Sequence, residues 1–509
     1  MRRPILLTLA LIGLALPGEG FGQESDDALA GLDSYVRGAM VDWEVPGLAI
    51  AVVQDDSVLF ARGYGVREVG RDEPVDEHTL FANASTTKAF TAAAAGMLVD
   101  EDRLEWDDRV SDRLPEFVLL DPWVTSEITL RDLLTHRIGF GDPSFLWYGA
   151  DYEFDDYASH LRYQEPATSF RAYFAYNNIG YAAAGEITAR EAGTSWDDLI
   201  RTRILEPLGM RETLMRGAAL TPGDNVAIPH DVVADTLASL GWNVSFGDNI
   251  APAGAMYSSV HDMTHWIRFL LAGCEWEGEN LLSAGSCEEL LKPQAVLTPD
   301  EFYPSQELTE PWFIGYSLGW FLQDYRGEKL AFHTGSLDGY VAIVGLLPER
   351  RAGVVVFANR DHAEVRHALM LRVFDALIGG PTRDWSVELK ALYDERNQER
   401  AESRAEGRAD RIPDTGPSAS LESYVGTWGN DLYGEVEVKL EARSDDGTEL
   451  HLVLVRSEHL TADLHHWHLD TFEARWRPGW LRPELFTFEL GPTGTVDVLR
   501  LGGHELHRR

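Results

Sequence analysis

Strand-forming runs stand at both ends of the first three quarters of this chain, and helical pattern fills the space between. Leu48-Ala49-Ile50-Ala51-Val52-Val53 and Val58-Leu59-Phe60-Ala61 flank Asp55-Asp56-Ser57, which predicts an early β-hairpin. Strand pattern returns only at Ser317 to Leu322, Leu330 to His333, Tyr340 to Leu347 and Gly353 to Ala358. Between them lie helical spacings at about 178–192, 195–205 and 259–272, and helix 363–378 follows the last strand. One sheet must therefore be assembled from distant ends of the chain. The expected class is α+β, an antiparallel sheet flanked by helices with an all-α insert.

At 509 residues the chain is too long for one ordinary core. Residues 386–416 turn rich in arginine and glutamate and run into Pro413-Asp414-Thr415-Gly416-Pro417, an expected exposed helix and linker. Beyond them the period becomes two. Val436, Val438 and Leu440 alternate with Glu437 and Lys439, the Asp446-Gly447 turn follows, and Leu450, Leu452 and Leu454 continue. Phe486, Phe488 and Leu490 lead through Gly491-Pro492-Thr493-Gly494 to Val496 and Val498, so a small antiparallel β domain is expected, a closed or nearly closed barrel.

Residues 1–22 have the plan of a secretory signal: Arg2-Arg3, apolar Ile5 to Leu16, then Pro17-Gly18 and the small Gly20 and Gly22. The apolar run is too short to span a bilayer, and export to the periplasm or the outside is expected, with no stable span in the mature form. The expected division is therefore a signal at 1–22, a first domain at 26–385, a charged segment at 386–416 and a β domain at 417–509. Eighty-three acidic against 44 basic residues give a formal charge of −39, a surface that repels nucleic acid and anionic lipid. Cys274 and Cys287 are the only cysteines and could form one staple in an oxidising compartment.

Chemistry concentrates in three stretches. Ser85-Thr86-Thr87-Lys88 opens the apolar run Ala89 to Val99, expected as a buried helix with Ser85 as cap and first turn. Three residues apart, the Lys88 amine can reach the Ser85 hydroxyl, and burial that lowers the lysine pKa would make it the base that a serine nucleophile needs. Free N–H groups at the helix start would face developing negative charge. Tyr176-Asn177-Asn178 precedes a helix, and His333-Thr334-Gly335-Ser336 ends one strand before the Leu337-Asp338-Gly339 turn. Alone, each has a plain structural reading: a chance lysine on a capped helix, a capped helix after an aromatic, a satisfied strand histidine.

Together, in this order and spacing, they resemble the serine β-lactamase and penicillin-binding-protein superfamily, in its class C-like esterase and D-peptidase branch. The likeness extends to Ile128–Gly139, to Glu206-Pro207-Leu208-Gly209-Met210 and to Leu318-Gly319-Trp320, and covers about residues 26–380. It implies that Ser85 forms an acyl-enzyme and that Lys88 and Tyr176 share the proton work, as phenolate base or as a lysine-relayed network. A tyrosine beside a buried cation would have its pKa lowered. The backbone N–H groups of Ser85 and Ser336 would form the oxyanion hole, and Asn178 would bind a substrate amide or orient Lys88. Thr334 and Gly335 would line the substrate strand. His333 stands where antibiotic-hydrolysing members carry lysine, which moves the expectation to small esters, amides or short peptides, including D-residues. No Glu-x-x-x-Asn water-positioning element is found, so deacylation would reuse Lys88 and Tyr176. A binder that keeps the fold without turnover, and an acyltransferase, use the same residues. The segment Leu421-Glu422-Ser423-Tyr424-Val425-Gly426-Thr427-Trp428 with Leu432-Tyr433-Gly434 resembles the lipocalin-like module appended in this branch, which could mediate self-association.

No cofactor or metal is expected. His261-Asp262-Met263-Thr264-His265 sets two histidines one turn apart without a third ligand, and His465, His466 and His468 fit a polar strand face. The aromatic loops 140–170 and 303–316 are expected to form pocket walls and set specificity.

Overall fold

The computed structural model describes residues 29–509 apart from 151, 243, 246, 443–447, 456, 458–459 and 479–480. The expected signal segment and the Asp446-Gly447 turn lie outside the described residues.

The sheet is built from both ends of the first domain. Its strands are β1 (Gly47–Gln54), β2 (Ser57–Gly65), β3 (Ala295–Val296), β4 (Ile314–Tyr316), β5 (Phe321–Tyr325), β6 (Glu328–Leu337), β7 (Tyr340–Leu347) and β8 (Ala352–Ala358). Their spatial order is β2-β1-β8-β7-β6-β5-β4-β3, with antiparallel pairing throughout. The early hairpin thus docks beside the last strand, with Val52 opposite Val354.

Both faces are covered, which is why β1 reads as an unbroken apolar run rather than an alternation. Leu48, Ile50 and Val52 point to a core shared with helices α1 (Leu32–Asp42), α5 (Val365–Ile378) and the start of α6 (Trp385–Ala409). Ala49, Ala51 and Val53 point the other way, to a core holding α2 (Lys88–Asp100), α3 (Asn178–Ala192) and α4 (Val260–Leu271). Phe90 of α2 stacks on Trp266 of α4 at 4.1 Å, anchoring the helix that Lys88 opens.

The expected strand from Ser317 to Leu322 is broken. Ser317 N–H bonds the Trp320 carbonyl at 2.8 Å and Gly319 turns at φ +86°, so pairing stops at Tyr316 and resumes at Phe321. A Cβ at Gly319 would meet the backbone of Lys88 and Ala89 at 3.0–3.1 Å, so the turn packs on the start of α2 and only glycine fits. Loop 140–170 is likewise less irregular than expected, since it contains a helix, Phe154–His160. Cys274 and Cys287 are joined in a disulfide.

The charged helix α6 buries only Trp385, Ser386 and Leu389 and leads to an eight-stranded antiparallel barrel, from Gly426–Asn430 to His504–Arg508, closed in chain order. Tyr424, Trp428, Phe472 and Phe488 fill it. Leu432 instead leaves the barrel and is buried in the first domain's core, Tyr433 meets Phe145 edge-on at 5.8 Å, and Ser457 Oγ donates to the Gly149 carbonyl at 2.6 Å. The barrel is thus seated on the loop that follows Phe140.

Candidate active site

Strand Phe81–Ala82 delivers the chain to a short 3₁₀ turn, Ala84–Thr87, which runs directly into α2. Ala84 is held at φ +45°, a strained value for an alanine, immediately before the nucleophile candidate. Ser85 sits in this tighter turn rather than at the helix cap expected for it. Its hydroxyl caps nothing and lies 3.1 Å from Lys88 Nζ.

Lys88 is fully buried. Its Nζ donates to Asn178 Oδ1 at 2.7 Å and to the Ala253 carbonyl at 2.9 Å, two groups that can only accept. Burial pulls its pKa down to about 7, opposed by the negative charge of Asp142. A neutral amine would spend both of its hydrogens on those two carbonyl oxygens, which directs its lone pair at Ser85 Oγ.

Tyr176 lies over the same lysine, with its ring centroid 4.8 Å from Nζ. Here the sequence expectation fails: desolvation raises the Tyr176 phenol well above its ordinary value, although the neighbouring Ser85 hydroxyl opposes the shift. The nearby cation does not outweigh the loss of water. The turn carrying Tyr176 is seated by His136, whose Nδ1 accepts the Asn177 N–H at 3.0 Å and whose ring lies 4.3 Å from that of Tyr176. Burial also keeps His136 neutral, far below its usual pKa. This gives segment 128–139 a physical role beside the cleft.

Asn178 opens α3, after Asn177 caps it by accepting the Gly180 N–H. The orientation of its amide is set by Asp142, which sequence reasoning passed over inside an aromatic loop. Asp142 accepts the Asn178 backbone N–H at 3.1 Å, Asn178 Nδ2 at 2.8 Å and Trp147 Nε1 at 2.9 Å. The only signal for it was an acid among aromatics.

The third stretch forms the opposite wall on β6. A Cβ on Gly335 would meet the Asn83 carbonyl at 2.2 Å and Ser85 N at 3.1 Å, so this strand touches the turn that carries Ser85 and admits only glycine. Ser336 follows, exposed at the cleft. Thr334 Oγ1 bonds the Tyr303 hydroxyl at 2.5 Å. His333 lies behind the wall, almost wholly buried, its Nε2 3.0 Å from the Tyr316 hydroxyl, and burial holds its pKa down to about 3. It is a neutral packing residue at neutral pH.

A cation reaches this strand from elsewhere. Arg366, on α5, donates to the Gly335 carbonyl and, at 2.9 Å, to Ser336 Oγ, while Glu364 pairs with its other nitrogens at 2.9 and 3.0 Å. Arg366 keeps Glu364 ionised far below the ordinary carboxyl range, despite burial. The cleft encloses about 560 Å³, and Ser85, Tyr176, Asn178, Thr334, Ser336 and Arg366 line it with Phe174, Phe302, Tyr303 and Phe321.

The histidines set aside in the sequence make ordinary hydrogen bonds in the fold. His265 Nδ1 is engaged by the Leu208 carbonyl at 2.8 Å, His466 Nε2 by the Leu469 carbonyl at 2.9 Å, and His468 Nδ1 accepts the Ile412 N–H at 3.0 Å.

A family model described as beta-lactamase matches residues 32–377. The chain belongs to the beta-lactamase family. A second model, a domain of unknown function named DUF3471, matches residues 410–507, the barrel and its approach. Among curated relatives, the unguisins hydrolase ungD of Aspergillus violaceofuscus is 30% identical over 455 residues, 82% of this chain and 77% of its own. The octameric penicillin-binding protein homologue from Pyrococcus abyssi shares the fold at TM-score 0.61 and 23% identity, covering 94% of this chain and 99% of that one. The structure of SurE with D-Leu shares it at TM-score 0.55 and 22% identity, covering 96% and 100%. Members of the beta-lactamase family are serine hydrolases. Among the described residues, no helix is long and apolar enough to cross a membrane.

Proposed function

We propose that this chain is an exported serine hydrolase that acylates Ser85 and passes the acyl group to water. Its substrate class is a small ester, amide or short peptide, D-residues included. The observation that carries the reading is the set of partners around Lys88: two obligate acceptors and one serine hydroxyl, with the lysine pKa at about 7. Lys88 is therefore the base and Tyr176, kept as a neutral phenol, the proton carrier.

In this reading neutral Lys88 takes the Ser85 proton as Oγ attacks the substrate carbonyl. The tetrahedral oxyanion is held by the backbone N–H groups of Ser85 and Ser336. Its collapse breaks the bond to the alcohol or amine, which leaves with the proton returned from Lys88 through Tyr176. Water then enters and gives a proton to Lys88 as its oxygen bonds the acyl carbon; the bond to Ser85 Oγ breaks with that proton returned from Lys88 to Oγ, and the acid is released. The cleft's aromatic walls, the neutral His333 and the Glu364-balanced Arg366 favour an uncharged acyl group over a carboxylate-bearing one. Residues 26–385 carry this chemistry, and 417–509 brace it. The name of the Aspergillus relative supports hydrolysis, and the SurE likeness puts D-aminoacyl amides on the test panel.

The test is a panel of p-nitrophenyl esters, D-aminoacyl p-nitroanilides and nitrocefin, run with wild type and Ser85→Ala, with intact mass after fluorophosphonate treatment. Turnover should fall about 10³-fold or more in Ser85→Ala, and the adduct should vanish. Full turnover by Ser85→Ala would refute the mechanism, and a stable adduct without turnover would mark a binder.

A further inference from the structure

Outside the cleft, side chains from three segments converge at the surface. His78 lies in the loop before strand Phe81–Ala82, Glu212 lies in the segment after the Glu206–Leu208 helix, and His261 is in the first turn of α4. One ligand atom from each lies within 4.8 Å of the other two. His78 Nδ1 is 2.8 Å from Glu212 Oε1, and His261 Nδ1 is 3.9 Å from Glu212 Oε2.

We propose that His78, Glu212 and His261 bind one divalent transition-metal ion of the zinc class, with a fourth position left to water. Two imidazoles and a carboxylate suit zinc, whereas magnesium and calcium prefer oxygen ligands alone. A tetrahedral ion with ligands at about 2.0–2.2 Å sets them about 3.4 Å apart, so side-chain shifts of about an ångström close the site.

The surroundings are already organised for this. His261 Nδ1 is shielded from solvent yet makes no hydrogen bond, the state expected of a ligand atom awaiting its ion. Ser259 Oγ donates to Glu212 Oε2 at 2.5 Å, orienting the carboxylate. Asp262 Oδ2 accepts from Glu212 N, Thr213 N and Thr213 Oγ1, while its Oδ1 stands 3.4 Å from His261 Nδ1. The backbones are tied as well: His261 N–H bonds the Glu77 carbonyl at 3.1 Å, and His78 N–H bonds Asp76 Oδ1 at 3.0 Å. Little ordering remains to oppose binding. The His78 side chain is 46% exposed, so an ion would enter from the His78 side. The His265 ring lies 5.3 Å from that of His261, tilted against it, but is engaged by Leu208, a neighbour rather than a ligand.

The ion would act as a clasp. It would join the loop feeding Phe81–Ala82 to the start of α4, just where Phe81 pairs with Ser258 and Ala82 with Tyr257, a few residues before Ser85.

The test uses the full chain stripped with EDTA and titrated calorimetrically with ZnCl₂, with bound zinc counted by mass spectrometry after desalting. One zinc per chain with a Kd in the micromolar range or below is expected. His78→Ala and Glu212→Gln should each weaken it at least tenfold, and His466→Ala in the barrel should leave it unchanged. Loading with CoCl₂ should give visible d–d absorption that the same two variants lose. Melting curves in EDTA establish that each variant is folded, and exposed His78 gives the reading if Glu212→Gln proves unstable. Failure of the stripped chain to take up zinc, or undiminished binding by His78→Ala, would overturn the proposal.

Discussion

Asp142 decides which end of the Asn178 amide faces Lys88. It takes the Nδ2 hydrogen at 2.8 Å and leaves Oδ1 for the lysine at 2.7 Å. Asp142→Asn leaves one acceptor oxygen where two are used, so it cannot accept both the Asn178 N–H and Nδ2, and it removes a negative charge that raises the Lys88 pKa. We expect kcat to fall about tenfold or more, as for a lost charge-assisted contact at a catalytic group. The acid limb of the kcat/KM profile should also move to lower pH. A residue that merely supported the fold would leave that limb in place.

With Lys88 held at about 7, hydrolysis should rise through that pH and level off above it as the ammonium gives up its proton. Stability should follow the same sign. Unfolded, the lysine regains its model value of 10.5, so the unfolded chain binds more protons between about 7 and 10.5. This group's contribution is thus fully present above 10.5 and is lost as pH falls toward 7. Lys88→Met should melt higher than wild type at pH 6, by up to the order of 4 to 5 kcal/mol less the hydrogen bonds it forgoes, with the gap closing as pH rises. Melting curves across pH 6–10 measure this.

Gly335→Ala should damage turnover more than stability. Its methyl would sit 2.2 Å from the Asn83 carbonyl and 3.1 Å from Ser85 N, so β6 must back away from the Ser85 turn. A shift of about 1 Å there is expected to cost about 10²-fold in kcat. Steady-state kinetics on a p-nitrophenyl ester, with a thermal melt of the same sample, separates the two effects.

Leu432→Ala tests how the barrel supports the cleft. Truncating a buried leucine costs about 2–5 kcal/mol. Because Leu432 is buried against the first domain rather than within the barrel, the loosening should show as faster amide exchange in residues 142–150. An unchanged exchange pattern in that loop would mean that it holds itself in place.

The parts of this architecture written locally were legible in the chain. Alternation marks the barrel strands, the Asp55 turn marks the first hairpin, and three short motifs point to one cleft. What escaped was set by distant neighbours. Asp142 has no local pattern; it matters because a folded loop brings it to Asn178. Arg366 reaches the β6 strand from a helix that reads as plain core. The strand expected across Ser317–Leu322 is apolar enough to continue, yet Gly319 must turn to clear α2. The Tyr176 expectation weighed one cation and omitted desolvation, a quantity that no single stretch of sequence encodes.

The seam between Val52 and Val354 also imposes an order of events during synthesis. A ribosome that has made Ser85 and Lys88 has not yet made β6, β7 or β8, so the growing chain holds these side chains without the opposite wall of the cleft. The cleft is therefore completed late and all at once, and chains truncated before β6 should lack it.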